Sequence, residues 1–294
     1  MSSLQGNLIR WLMRVRPRVK LSIQKSRQLL DRATKWMPAP KQNTYQQEII
    51  HDIPVLWVTP PNHNQQVILY FHGGAYIVGA IHSERVIAGN IALESGARVF
   101  IVGYRLAPEH PFPAGLDDAL ICYRHLISIG IAPQQIIICG MSAGGGLATA
   151  LMLKLKMLGE SLPCAGILLS PWLDLTGTSP STTTNAKRDS GLSWRMLAPA
   201  VEAYAGDNDV RNPLISPVFA DLSGDFPPLL IQVGDIEILV DDSRQFAKNA
   251  QDAGHDVKLS IWSGMIHSWH MYGMVPEARQ AIHEISNFIR QYQT

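Results

Sequence analysis

The run Ile136-Ile137-Ile138-Cys139-Gly140-Met141-Ser142-Ala143-Gly144-Gly145-Gly146-Leu147-Ala148-Thr149-Ala150 decides how the chain is read. Its first four residues are apolar and predict a buried strand. The stretch from Gly145 onward predicts a helix. Between them lies Gly140-Met141-Ser142-Ala143-Gly144, a G-x-S-x-G pattern at a strand-to-helix turn. The pattern alone is weak, because small residues cluster by chance; its context gives it weight. A nucleophile at such a turn sits in strained backbone, and its neighbours must be small so that strand and helix can approach. The turn lifts the Ser142 hydroxyl clear of the sheet and aims the first helical N–H groups at any anion beside it. The competing reading is a Gly-rich turn with a capping serine.

Outward from this turn, strands and helices alternate. Gln66–Phe71, Ala97–Tyr104, Ala165–Ser170, Leu229–Val233 and Asp256–Trp262 read as strands. His82–Ser95, Asp117–Ile129, Asp241–Ala253 and Pro276–Tyr292 read as helices. An edge hairpin is expected over Gln47–Val58, interrupted by Pro54 and followed by a turn at Pro60-Pro61-Asn62. The alternation predicts a mostly parallel, doubly wound sheet flanked by helices. Residues 175–228 break it, with one helical piece at Ser193–Tyr204; a loop this long in a compact domain is usually functional. The first 40 residues carry helical patterning (Leu8, Ile9, Leu12, Met13, Val15; then Leu21, Ile23, Leu29, Leu30) divided at Pro17.

The 294 residues suit one large α/β domain with an appended cap. Charge is unevenly placed. Residues 1–40 hold nine Lys/Arg against Asp31 alone, which makes +8 there and −7 over the rest. This start reads as a solvated helix pair capping the domain, with a membrane-surface segment as the rival. Arginines interrupt every apolar stretch, so neither a secretory leader nor stable membrane insertion is expected. Net charge of +1 implies no affinity for nucleic acid. The three cysteines lack C-x-x-C spacing and read as reduced core residues of a cytoplasmic protein. No cluster has metal-ligand spacing, and no nucleotide fingerprint fits, so neither metal nor cofactor is expected.

A turn serine needs a base to take its proton. His267, in Ser263-Gly264-Met265-Ile266-His267-Ser268-Trp269-His270, lies after the last strand, where the order serine, acid, histidine requires it; His270 is the rival. The acid should follow the Leu229–Val233 strand. Asp241 and Asp242 read as first-turn helix acids, which leaves Asp235 and Glu237, and position alone does not separate them. Attack on an ester carbonyl develops an oxyanion that needs preorganised N–H donors. Gly73 and Gly74, at the end of the Gln66–Phe71 strand, are expected to supply them together with Ala143.

Four motifs in order, HGGAY at 72–76, YRLAPEHPFPA at 104–114, GMSAGG at 140–145 and GMIH at 264–267, resemble those of the hormone-sensitive-lipase-like carboxylesterases of the α/β-hydrolase superfamily. The resemblance implies Ser142 as nucleophile, His267 as base, and Gly73, Gly74 and Ala143 as oxyanion donors. Relatives carry an Asp-Pro-Leu-Arg-Asp stretch whose first Asp is catalytic. Laid on Glu237-Ile238-Leu239-Val240-Asp241, it puts the catalytic acid at Glu237, a departure from the commoner Asp. The implied fold is the α/β-hydrolase fold with a helical cap, built from residues 1–45 and about 175–225 on a catalytic domain of 46–294. The implied activity is hydrolysis of small-molecule carboxylic esters with short-to-medium acyl chains through an acyl-enzyme. An amidase or deacetylase using the same triad is the nearest alternative, and a small-molecule receptor of the same fold a more remote one. Arg105 and Glu109 are expected to brace the proline-rich loop, and a homodimer is a further expectation that the resemblance carries.

Overall fold

The computed structural model describes residues 2–15, 22–35 and 37–292. In chain order its elements are α1 (Leu4–Val15), α2 (Ile23–Lys35), β1 (Thr44–Ile50), β2 (Ile53–Thr59), β3 (Val67–Phe71), α3 (Arg85–Ser95), β4 (Arg98–Val102), α4 (Ala114–Ser128), β5 (Ile136–Met141), α5 (Ala143–Leu158), β6 (Ala165–Leu169), α6 (Pro180–Thr184), α7 (Trp194–Ala205), β7 (Leu229–Gly234), α8 (Val240–Asp252), β8 (Val257–Trp262) and α9 (Pro276–Arg290). The break expected at Pro17, with Arg16, Arg18, Lys20 and Leu21, lies outside the described residues.

Eight strands form one sheet in the order β1-β2-β4-β3-β5-β6-β7-β8. β2 pairs antiparallel with both β1 and β4, and every later pair is parallel. Every residue of β3, β5, β6 and β7 is buried, which is why these segments read as unbroken apolar runs. Alternate side chains feed two cores. Val67, Leu69, Phe71, Ile136 and Ile138 face the layer of α4, α5 and α8. Ile68, Tyr70, Ile137, Cys139 and Met141 face the layer of α3 and α9. Each fully buried Ile or Leu stabilises the fold by roughly 1.5–3 kcal/mol, so a polar residue in these central strands would be costly.

The hairpin differs from its expectation. It turns at His51-Asp52, both in the left-handed region (φ 49° and 68°), and not at Pro60. β2 is therefore an interior strand. Pro54 is tolerated because it sits beside the turn opposite Ile49, where its carbonyl still accepts the Gly103 N–H.

The N-terminal helices are tied down at specific points. Ser3 donates from both its N–H and hydroxyl to Glu277 of α9. Ile9 and Met13 pack on Ile236, Met265, Ile266 and Trp269. From α2, Arg27 donates to the carbonyls of Ile77 and Ala107 and pairs with Glu109. The 105–114 loop is braced from below by buried Asp118, which accepts from the Arg105 N–H, Nε and Nη2. Among the described residues no helix is long and apolar enough to cross a membrane.

Removing the Asp118 carboxylate leaves the Arg105 N–H without its acceptor and breaks the ion pair of a half-exposed guanidinium, which keeps the Ala114 carbonyl. Asp118→Ala is expected to cost about 2–4 kcal/mol and to lower the melting temperature by several degrees. A thermal denaturation curve superimposable on wild type would show that the loop does not depend on this brace.

Candidate active site

Ser142 caps β5 at φ 55°, ψ −120°, a conformation that a non-glycine residue adopts only when its surroundings impose it. The strand and helix on either side press together. A Cβ on Gly140 would lie 2.0 Å from the Gly144 carbonyl oxygen, and one on Gly144 would lie 2.1 Å from that of Phe71. Those positions exclude any side chain. The turn is then pinned by backbone hydrogen bonds. The Ser142 N–H donates to the Leu169 carbonyl, and its own carbonyl accepts from Gly145, Gly146 and Trp172.

His267 lies on the loop after β8. Its Nε2 is 2.9 Å from Ser142 Oγ, and its Nδ1 is 2.7 Å from Glu237 Oε2. Since a carboxylate can only accept, Nδ1 carries the proton and Nε2 is left to accept from the serine hydroxyl. Glu237 is fully buried, and its other oxygen, Oε1, accepts from the Gly234 N–H and the Ser170 hydroxyl. Burial works to lower the His267 pKa. The hydrogen bond and charge of Glu237, with Asp189 and Glu84 behind them, outweigh it and leave the imidazole above its ordinary value.

The two rivals are engaged elsewhere. Asp235 Oδ1 accepts the Gly264 N–H at 2.6 Å and does not reach His267. His270 is buried on Trp269, its Nε2 donating to Gln232 Oε1, and burial pushes its pKa down to about 3. Asp241 and Asp242 stand in the first turn of α8 as expected. Asp242, however, is buried and accepts the N–H groups of Leu173 and Asp174.

The 72–76 turn requires one correction. The Gly73 N–H already donates to Glu84 Oε1 at 2.6 Å, so it is not available to a substrate oxygen. Among the described residues, the N–H groups of Gly74, Ala75 and Ala143 have no hydrogen-bond partner. Ala143 opens α5, where the first N–H groups have no intrahelical acceptor. Gly74, Ala75 and Tyr76 take φ values of 122°, 53° and 63°. That succession swings the chain away from the strand direction, and Gly73 lies directly beside Ser142.

The long insertion between β6 and β7 is stitched to the acid loop. Asn185 donates to the carbonyls of Asp235 and Glu237, and Ser181 donates to that of Ile238. Asp189 accepts the Ile238 N–H with one oxygen and those of Gly191 and Leu192 with the other. None of Ser170, Asn185, Asp189 or Glu84 was legible in advance. Each is an isolated polar residue whose partners lie elsewhere in the chain, on backbone groups or side chains that the local sequence does not reveal. Among the described residues there is no group of His, Cys, Asp and Glu arranged to hold a metal.

Comparison with known proteins bears on the fold and the family. Residues 68–271 match a family described as having the alpha/beta hydrolase fold. An acetyl-hydrolase of Streptomyces hygroscopicus is 41% identical over 80% of this chain and 78% of its own length. An esterase of Acinetobacter venetianus is 41% identical over 76% of this chain and 74% of its own. A solved esterase from the bacterial hormone-sensitive lipase family superimposes with a TM-score of 0.94 at 37% identity, covering the whole of both chains. Such relatives are carboxylic ester hydrolases, and on sequence and fold together this chain belongs to the hormone-sensitive-lipase-like carboxylesterases of the α/β-hydrolase superfamily.

Proposed function

We propose that Ser142, His267 and Glu237 are the catalytic triad, and that the N–H groups of Gly74, Ala75 and Ala143 form the oxyanion hole. The observation that carries this reading is the unbroken relay from Ser142 Oγ through His267 to Glu237, at 2.9 and 2.7 Å. Ser142 Oγ attacks the acyl carbonyl carbon while its proton passes to His267 Nε2. Glu237 stabilises the imidazolium so formed and keeps the ring in the required tautomer. The carbonyl oxygen becomes an oxyanion held by the three N–H donors. His267 then returns the proton to the departing alkoxide, leaving an acyl-Ser142. Water, deprotonated by the same nitrogen, attacks the acyl carbon; the bond from that carbon to Ser142 Oγ then breaks, His267 returns the proton to Oγ, and the acid leaves.

We infer that residues 1–45 and about 175–225 act as the cap over this site. Tyr204 of α7 stacks on Tyr76, immediately after the oxyanion turn, with ring centroids 3.8 Å apart, and Trp172 lies 6.1 Å from Tyr76. All three rings are buried, the Tyr76 hydroxyl lies against Gly146 of α5, and the Trp172 N–H donates to the Ser142 carbonyl, which leaves a rigid wall beside the serine. Such a wall favours short-to-medium acyl groups; relatives named acetyl-hydrolase and ethyl acetate hydrolase point the same way. Initial rates on p-nitrophenyl esters are expected to peak at acetate to hexanoate and to fall by an order of magnitude or more at dodecanoate. A maximum at dodecanoate or beyond would contradict the wall.

Further inferences concern the setting of the chain. The free Cys122, Cys139 and Cys164 support a cytoplasmic location. The edge strand β8, with Ile261 exposed, supports a homodimer through that edge.

Ser142→Ala is expected to remove at least ~10³-fold of kcat, and Glu237→Gln about 10³- to 10⁴-fold, with melting temperatures near wild type. Asp235→Ala should retain most activity. Full esterase activity in Ser142→Ala would end the triad assignment. His267 must be neutral to accept the serine proton, so activity is lost as pH falls through its raised pKa. The acid limb of kcat/KM is therefore expected to have its midpoint above 6.5. A midpoint below 6 would contradict the Glu237 pairing.

A further inference from the structure

The oxyanion turn poses a problem of backbone energy. Gly74, Ala75 and Tyr76 follow one another at positive φ, and two of these are not glycine. Each non-glycine residue there is strained, and such strain persists only where the surroundings over-determine it. Several bonds within the local backbone help. The Gly74 carbonyl accepts from Ile77 and Val78, His72 Nδ1 donates to the Gly73 carbonyl, and the Tyr104 hydroxyl donates to the His72 carbonyl. These hold the far side of the turn and its carbonyls. They do not fix the amide that enters it.

That amide is held by Glu84, which stands just before α3 and is 4% exposed. Its Oε1 accepts the Gly73 N–H at 2.6 Å, and its Oε2 accepts the Tyr70 hydroxyl at 2.5 Å. Tyr70 is wholly buried in β3, the strand that leads into the turn. The carboxylate therefore bridges the strand and the first amide beyond it. Bonds of this length hold both donors in a fixed relation to one carboxyl group. They also account for a carboxyl group in an otherwise apolar setting. Burial raises the Glu84 pKa to about 7, against the opposing pull of Tyr70, Gly73 and His267. The other titratable groups facing it are Tyr104 from the loop after β4 and Cys139 from β5.

We propose that Glu84 is a positioning residue of the oxyanion hole: by capturing the Gly73 N–H from its anchorage on Tyr70, it sets the turn so that the Gly74 and Ala75 N–H groups face Ser142. Glu84 does not touch the substrate. It removes one amide from competition for the carbonyl oxygen and aims the next two. The inference rests on the triad and hole assigned above.

The test compares two variants that keep side-chain volume. Glu84→Gln retains an acceptor for the Gly73 N–H; Glu84→Met does not. Donors displaced by as little as 1 Å cost about 100-fold, so Glu84→Met is expected to lose about 10- to 100-fold in kcat with KM within twofold. Its affinity for a trifluoromethyl ketone, whose hemiketal oxyanion occupies the hole, should weaken by the same factor as kcat/KM. Glu84→Gln should recover most of both. A structural role alone would lower the melting temperature without tying ketone affinity to kcat/KM. Wild-type kcat and ketone affinity in Glu84→Met, or a loss confined to KM, would overturn the proposal. If Glu84→Met does not fold, Tyr70→Phe takes its place, since it frees Oε2 while leaving the carboxylate. There a parallel severalfold loss in kcat and ketone affinity supports the proposal, and no change in either overturns it. Wild type and Ser142→Ala, run alongside, test the underlying assignment separately: an Ala variant that still hydrolyses ester removes the triad, whatever Glu84 does.

Discussion

The active site depends on a close approach between backbones that no side chain may enter. β5 runs into α5 through Ser142, and the helix start lies against the ends of β3 and β5 at distances that would bring a Cβ on Gly140 or Gly144 to about 2 Å from a carbonyl oxygen. Holding Ser142 at φ 55° costs on the order of 1–3 kcal/mol. The cost is met by the packing of the two elements and by four backbone hydrogen bonds to Ser142. Relaxing the turn would require separating α5 from the sheet. The strain therefore persists, and the serine hydroxyl stays at the C-terminal end of a central strand, near the unpaired N–H of Ala143.

Around that fixed point the charges are arranged in series. Glu237 is buried but satisfied by three donors, His267 among them, so it can remain an acceptor without water. His267 is left with one free acceptor nitrogen directed at Ser142. A second buried carboxyl group, Glu84, lies against Gly73, which adjoins the serine, and is satisfied in the same manner by an amide and a phenol. Between the two carboxylates, each with its oxygens occupied, the N–H groups of Gly74, Ala75 and Ala143 remain unpartnered. The order in which donors are used up decides which of them are left for catalysis.

How much of this was legible in the sequence depends on the distance over which each feature is determined. The buried strands announced themselves because both faces of β3, β5, β6 and β7 must be apolar. The Gly140–Gly144 turn announced itself because its steric demand is local. Position after the last strand leaves both His267 and His270, and only the resemblance to relatives through GMIH favours His267; Glu237 is likewise told from Asp235 only by analogy with relatives, since both follow β7 within three residues. The structure separates those two by direction: Asp235 turns to the Gly264 amide and Glu237 to the imidazole. The hairpin was misplaced because His51-Asp52 lacks a glycine, while the prolines at 60 and 61 gave a louder turn signal. Gly73 was misassigned because a glycine pair after a strand marks an amide-rich turn but not which amides are already used. That requires knowing where a lone glutamate eleven residues away will point.

The insertion between β6 and β7 has a bearing on how such enzymes diversify. Ser181, Asn185 and Asp189 fasten it to the loop that carries Glu237. The segment proposed as part of the cap is thus also the scaffold of the loop that carries Glu237. Exchange of this region between relatives, in evolution or in the laboratory, would not be a modular trade of one recognition surface for another. A graft spanning 181–192 carries the acid's supports with it, and one that interrupts them breaks those supports. The freer variation lies further along, in α7 and the segment after it, where the chain has left the Glu237 loop and meets the aromatic wall.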